Sequence, residues 1–334
     1  VEGLGGLSTP VYVDMSPPDL NHVVPLDFDG DAFVDFVTVS RANGGSDKSD
    51  LRVYSSAPSL HPLVAETVAV TCTTVGCIET AIAAAPPCTH TRIELAPAAV
   101  IGCFPEHHHE VATKSVVVAA AVPGTVIIDC GAGTGVGLFH VTAGAHLVFD
   151  GLVIRGGNAN ALSIAPRQGL LRVSGRGSVL VLRNCVFDAS VSGGAVGVEA
   201  GGALEAVDVV FADVRLAKLS GAARDAVPAR QGAVEGGAVL RVSGAGSSAT
   251  LTNVSMARCG PADDLYGAVG GAVLVEAAPG VSLRLVRDVV IADGAGLPFV
   301  GGAVAVVGAN ALADMTDLAV EVGGGMFARN RAVW

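Results

Sequence analysis

Short runs in which apolar and polar residues alternate, each bounded by turn formers, recur along this chain. Val126-Ile-Ile-Asp, His146-Leu-Val-Phe-Asp, Val179-Leu-Val-Leu-Arg-Asn-Cys-Val-Phe and Val281-Ser-Leu-Arg-Leu-Val are examples. A period of two in Val-, Ile- and Leu-rich runs predicts strands. Val75–Ala85 (VGCIETAIAAA) is the one plausible amphipathic helix, and Pro86-Pro87 follows it. Strands without helices between them cannot build βαβ units. The most apolar stretch, Val116–Val122, ends at Pro123-Gly124. It is far short of the ~20 residues that a membrane-spanning helix needs, so it reads as buried strand.

A repeat organises these strands. Gly-Gly-Ala-Val occurs at Gly193–Val196, Gly236–Val239, Gly270–Val273 and Gly301–Val304, at intervals of 43, 34 and 31 residues. Gly201-Gly-Ala-Leu and Gly323-Gly-Gly-Met read as its relatives. A glycine pair suits a corner where the backbone turns tightly or passes close to its neighbour. The small residues after it suit a narrow interior, and unequal intervals mean loops of unequal length leaving one corner. This unit fits one coil of a parallel β-helix, hydrogen-bonded to the next coil at ~4.8 Å. The chain therefore reads as an all-β, right-handed parallel β-helix solenoid of about seven or eight coils. Residues 1–60 read as a small N-terminal β segment, 61–90 as a linker and capping helix, and 91–334 as the solenoid. Phe327–Trp334 reads as the run-in to a further coil, so the solenoid is expected to continue or to pack on a partner.

The helix, then Thr91-Arg-Ile-Glu-Leu, Val126-Ile-Ile-Asp-Cys and Leu147-Val-Phe-Asp-Gly-Leu-Val-Ile-Arg, resembles the start of pectin-lyase-like β-helices. The Gly-Gly-Ala-Val series with Phe327-Ala-Arg-Asn330 resembles the polymorphic membrane protein repeat, over about residues 70–334. That resemblance implies a surface or secreted protein linked to adhesion.

Composition narrows the picture. Hydrophobic residues make up 51% of the chain but aromatic residues only 4%, with 44 glycines, which suits a thin, regular core. The 31 acidic and 20 basic residues leave a net charge of −11. That excludes the basic footprint of a nucleic-acid binder and argues against an anionic membrane surface. The chain opens on Val1 with no visible secretion signal, so it reads as a processed form or a piece of a longer protein.

The seven cysteines are Cys72, Cys77, Cys88, Cys103, Cys130, Cys185 and Cys259, with no C-x-x-C pair. They read as disulfide candidates in an oxidising, extracellular setting, with at least one thiol left over.

Leu26–Val37 (LDFDGDAFVDFV) spaces Asp27, Asp29, Asp31 and Asp35 so that their carboxylates, with the Phe33 carbonyl, could wrap Ca2+. The glycine is fourth rather than sixth, which departs from an EF-hand. The spacing resembles the FG-GAP (integrin-type) loop, which implies calcium. The alternative is a solvated acidic hairpin turn.

Other candidates are weaker. Glu106-His-His-His-Glu110 could bind a transition metal such as zinc, copper or nickel, but adjacent histidines would point to opposite faces of a strand, so the run reads rather as an exposed loop. His140 and His146 read as structural. Asn253-Val-Ser is a glycosylation sequon, or Asn253 joins Asn184 in an internal asparagine ladder. Asp129, Asp150 and Asp188 follow strand ends and could stack into an acidic stripe or form turns. Arg172, Arg176 and Arg183 could line one face, and Asp263-Asp264 sits in a loop.

No carboxylate, Arg and His set recurs at coil spacing beside aromatic sugar platforms. The leading expectation is therefore a non-catalytic structural or adhesive module of an extracellular or cell-surface assembly, such as a surface layer, appendage or filament. Its partners would be other extracellular subunits, further parts of the same polypeptide, or glycans. A carbohydrate-active enzyme of the pectin-lyase-like class and a calcium-dependent binding module are the alternatives. The loop Ala217–Val234, with Arg224 and Arg230, is the first choice for a contact surface.

Overall fold

A computed structural model describes residues 20–26, 35–41, 49–54, 66–86, 90–103, 109–131, 137–157, 169–188, 191–192, 194–216, 237–261, 271–294, 302–307 and 319–330. The chain divides into two compact units, Val1–Ala65 and Glu66–Trp334. In the first, β1 (Leu20–Leu26), β2 (Asp35–Arg41) and β3 (Ser49–Tyr54) form an antiparallel sheet in chain order.

The second unit is an all-β parallel β-helix. It opens with β4 (Glu66–Val70), which pairs in parallel with β5 (His90–Leu95). The helix α1 (Val75–Ala84) lies between them in sequence and buries Val75, Ile78 and Ile82 in the same cluster as Ile93 and Leu95. The sheet thus starts at Glu66, inside the stretch read from the sequence as a linker.

From His109 onward each coil covers three faces. The first face stacks seven: His109–Ala112, Phe139–Thr142, Leu171–Ser174, Val196–Glu199, Leu240–Ser243, Val273–Glu276 and Val304–Val307. The second face continues from β5 through Ser115–Ala120, His146–Asp150 and Val179–Arg183. The third includes Val126–Asp129, Leu152–Arg155 and Val186–Asp188. Ala203–Ala212 and Ser248–Ala257 are long enough to run across both the second and third faces. Alternation in the sequence becomes alternation in burial: Leu171 and Val173 point inward, Arg172 and Ser174 outward. In register, Ile128, Ile154, Phe187, Phe211, Met256 and Ile291 form one buried inner column. Burying each such side chain stabilises by about 1.5–3 kcal/mol.

The corners explain the glycines and the turn formers. A Cβ on Gly271 would lie 2.1 Å from the Gly302 carbonyl oxygen, so this corner accepts only glycine. The alanines that follow (Ala195, Ala238, Ala272) are buried and bonded coil to coil. The motif does not align uniformly. Val196 pairs with Leu240, not Val239, and Leu240 pairs with Val273. The 236 repeat takes up the extra residue by directing the amides of both Val239 and Leu240 to the Ala272 carbonyl, at 2.9 and 3.1 Å. The two relatives read from the sequence occupy other corners. Gly201-Gly202 turns the chain from the first face to the second, and Gly323-Gly324 from the second to the third. Hydrogen-bond register, not motif similarity, assigns the corner.

Among the described residues, two disulfides, Cys72–Cys77 and Cys103–Cys130, tie the first coils. Among the described residues no helix is long and apolar enough to cross a membrane.

Candidate functional site

Leu26 pairs with Asp35, so β1 and β2 form a hairpin that closes the acidic loop. Asp27, Asp29, Asp31 and Phe33 lie outside the described residues, as do Cys88, Glu106–His108, Arg224, Arg230 and Asp263-Asp264. Among the described residues no three His, Cys, Asp or Glu side chains gather as a metal site. His109, the last histidine of its run, is taken up by packing. Its Nδ1 is 2.7 Å from Glu79 Oε2 on α1, and its ring lies against Phe139.

The remaining acidic and basic candidates are separated or paired. Arg172 and Arg183 stand on different faces, because they belong to successive strands of one coil, and Arg176 lies at the corner between them. Arg172 donates to Glu199 at 2.8 Å. No acidic stripe forms. Register places Arg155 between Asp129 and Asp188, 3.5 Å from the latter, while Asp150 belongs to the second face.

Asn253 is exposed, not internal. It occupies a left-handed corner position (φ 50°), as do Asn184, Asp208 and Asp288. Asn and Asp tolerate that conformation best among residues with a side chain. Their amides and carboxylates then pair between coils on the outside. Asn184 donates to Asp150 at 3.0 Å, and Asn253 donates to Asp208.

The corner from the third face back to the first carries alternating charge. Asp213, Arg258, Asp293 and Arg329 all have φ near 54°, between 53° and 55°. Arg258 grips Asp213 at 2.6 and 2.8 Å, and Arg329 grips Asp293 in the same two-pronged way. The guanidinium hydrogen bonds hold both carboxyls below their ordinary range. Arg241 and Glu276 pair on the first face, and Arg284 and Glu321 on the second.

Cys185 and Cys259 are free thiols rather than disulfide partners. Each follows a left-handed corner residue, so its side chain turns into the core, and they sit in different columns. Burial pushes both thiols up to about 12, and they donate weakly to the Phe149 and Phe211 carbonyls at 3.5 Å. They act as small apolar residues.

One cluster escaped the sequence reading. On the outward side of the second face, His90, Ser115 and His146 stand in register. Ser115 Oγ is 2.6 Å from His90 Nδ1. Burial lowers both imidazoles, and His146 falls to about 4, with His90 and Arg183 adding to the shift. Beside them, Val117, Ala119, Val148, Val179 and Val181 form a buried apolar patch separate from the interior. Neutral imidazoles beside an apolar patch can exchange hydrogen bonds with an uncharged group, but they offer no cation to an acidic ligand. The signal was present in the apolar runs Val116–Ala120 and Val179–Leu182, which lack polar alternation because both of their faces are covered.

No family model matches the chain, and no curated protein does. Among solved structures it is similar to the PL6 family alginate lyase AlyGC, at 13% identity and a TM-score of 0.36. The match covers 87% of this chain and 47% of the lyase, so the chain spans about half that protein's length.

Proposed function

We propose that this chain is a non-catalytic structural or adhesive module of an extracellular or cell-surface assembly. The observation that supports this reading is how its outward charge is used. Arg155, Arg172, Arg241, Arg258, Arg284 and Arg329 each face a carboxylate on an adjoining coil. Cations committed to rung-to-rung pairs brace a solenoid and are not free to grip an anionic substrate. The disulfides fit an oxidising compartment, which favours the extracellular setting. Asn253, exposed on its corner, would suit glycosylation in a secreted protein.

The test is to purify native material without denaturant and measure its mass. The expected result is an assembly far heavier than 33.2 kDa that leaves alginate and polygalacturonate intact with or without calcium. A discrete species that releases unsaturated uronate from either polymer overturns the proposal. It would establish instead the second reading, a lyase acting on acidic polysaccharide, the class named for the alginate lyase above.

The pairing of Leu26 with Asp35 supports a calcium role for Asp27, Asp29, Asp31, Asp35 and the Phe33 carbonyl, because it sets the two ends of the acidic stretch side by side. Calorimetric titration with Ca2+ should show one site, abolished by Asp29→Asn with Asp31→Asn. Heat unchanged by the double substitution removes that role.

A further inference from the structure

We infer that the first coil holds a binding groove for a neutral aliphatic molecule bearing one hydroxyl or carbonyl oxygen. The groove lies between β4 and α1 and has a volume of about 640 Å3, within the range of small-molecule sites. Val68 and Val70 form one wall, Ala81, Ala84 and Ala85 the other, and Thr91 of β5 joins them. The alanines keep the helix side shallow where longer side chains would fill the space. Val68 and Val70 stay partly exposed there.

Thr91 supplies the polar anchor. It is 1% exposed, and its Oγ1 is buried without a hydrogen-bond partner. Leaving a hydroxyl so placed costs about 1–3 kcal/mol, which a ligand oxygen bonded to it would recover. Among the described residues, no charged side chain lines the groove. A carboxylate or ammonium head would therefore be buried without a counter-charge, which is far more costly than burying an alcohol. The other lining hydroxyl, Thr80, already donates to the Gly76 carbonyl at 2.8 Å, so the described lining selects an uncharged aliphatic ligand with a single oxygen.

Calorimetry of the full chain with 1-decanol tests the site. Saturable binding of one molecule per chain is expected. Thr91→Val keeps the side chain's shape and removes only the hydroxyl. It should weaken binding about fivefold, the worth of one hydrogen bond, while leaving the melting temperature equal or higher. Ala81→Phe should fill the groove and abolish binding. Absence of saturable binding, or binding by Thr91→Val as tight as by the parent chain, overturns the inference even if Ala81→Phe fails to fold.

Discussion

The inner and outer columns of the solenoid stack the same coils under opposite rules. Inside, Phe187 lies on Phe211 with ring centroids 4.7 Å apart, and isoleucines and a methionine extend that column on both sides. Outside, Asp213, Arg258, Asp293 and Arg329 alternate in sign up one corner. Coils ~4.8 Å apart bring equivalent side chains into contact. Like apolar groups gain by that contact, whereas like charges repel and opposite charges attract. Stacking therefore rewards similarity within and alternation without.

Breaking the inner column should cost most. Phe187→Ala removes a fully buried ring and should lose about 3–5 kcal/mol in denaturant unfolding. The double substitution with Phe211→Ala should lose less than the sum, because the rings share one contact. Additive losses would mean the two rings do not support each other.

Acid should act next, at the buried outward cluster of the second face. His146 is neutral in the folded chain, with its pKa lowered to about 4. The unfolded chain takes up its proton first, near pH 6.5. Stability is therefore present above that value and lost as pH falls towards 4, by about 3 kcal/mol. Unfolding midpoints between pH 7 and 4 should show this slope, and His146→Gln should flatten it.

On the first face, Arg241→Glu sets like charges against Glu276, in a pair whose side chains are 21% and 30% exposed. The loss should be about 1–2 kcal/mol, between the values for exposed and buried pairs. Adding Glu276→Arg should restore most of it. The smallest effect belongs to Arg258→Asn, which swaps in the residue type used at the neighbouring corner. Its side chain lies in water, so the melting temperature should fall slightly at low salt and match the parent at high salt.

Much of the fold was legible because its local rules are written residue by residue. Alternation marked which side of each strand is buried, and the apolar stretch Val116–Val122 read as buried strand, as Val116–Ala120 is. The tight fit of Gly271 against Gly302 followed from the repeat. What failed were inferences from resemblance between segments. Gly201-Gly202 looks like the repeat that contains Gly194 but leads into the second face rather than the first, Asp150 looks like Asp129 but stands on another face, and Cys185 and Cys259 point into separate columns. The register of His90, Ser115 and His146 was invisible because 24 residues separate the first two and 30 the last two.

The sequence by itself determined the strands, their inward and outward faces, the glycine corners and the helix at the first coil, because each depends on neighbours a few positions away. Only the tertiary structure decided which rung lies on which, hence the disulfide pairing, the alternating charge column and the one-residue offset at Leu240. Parallel coils are joined through loops of unequal length, so spacing along the chain does not fix register. The backbone hydrogen bonds between coils do, and they form only when each coil winds onto the one before it.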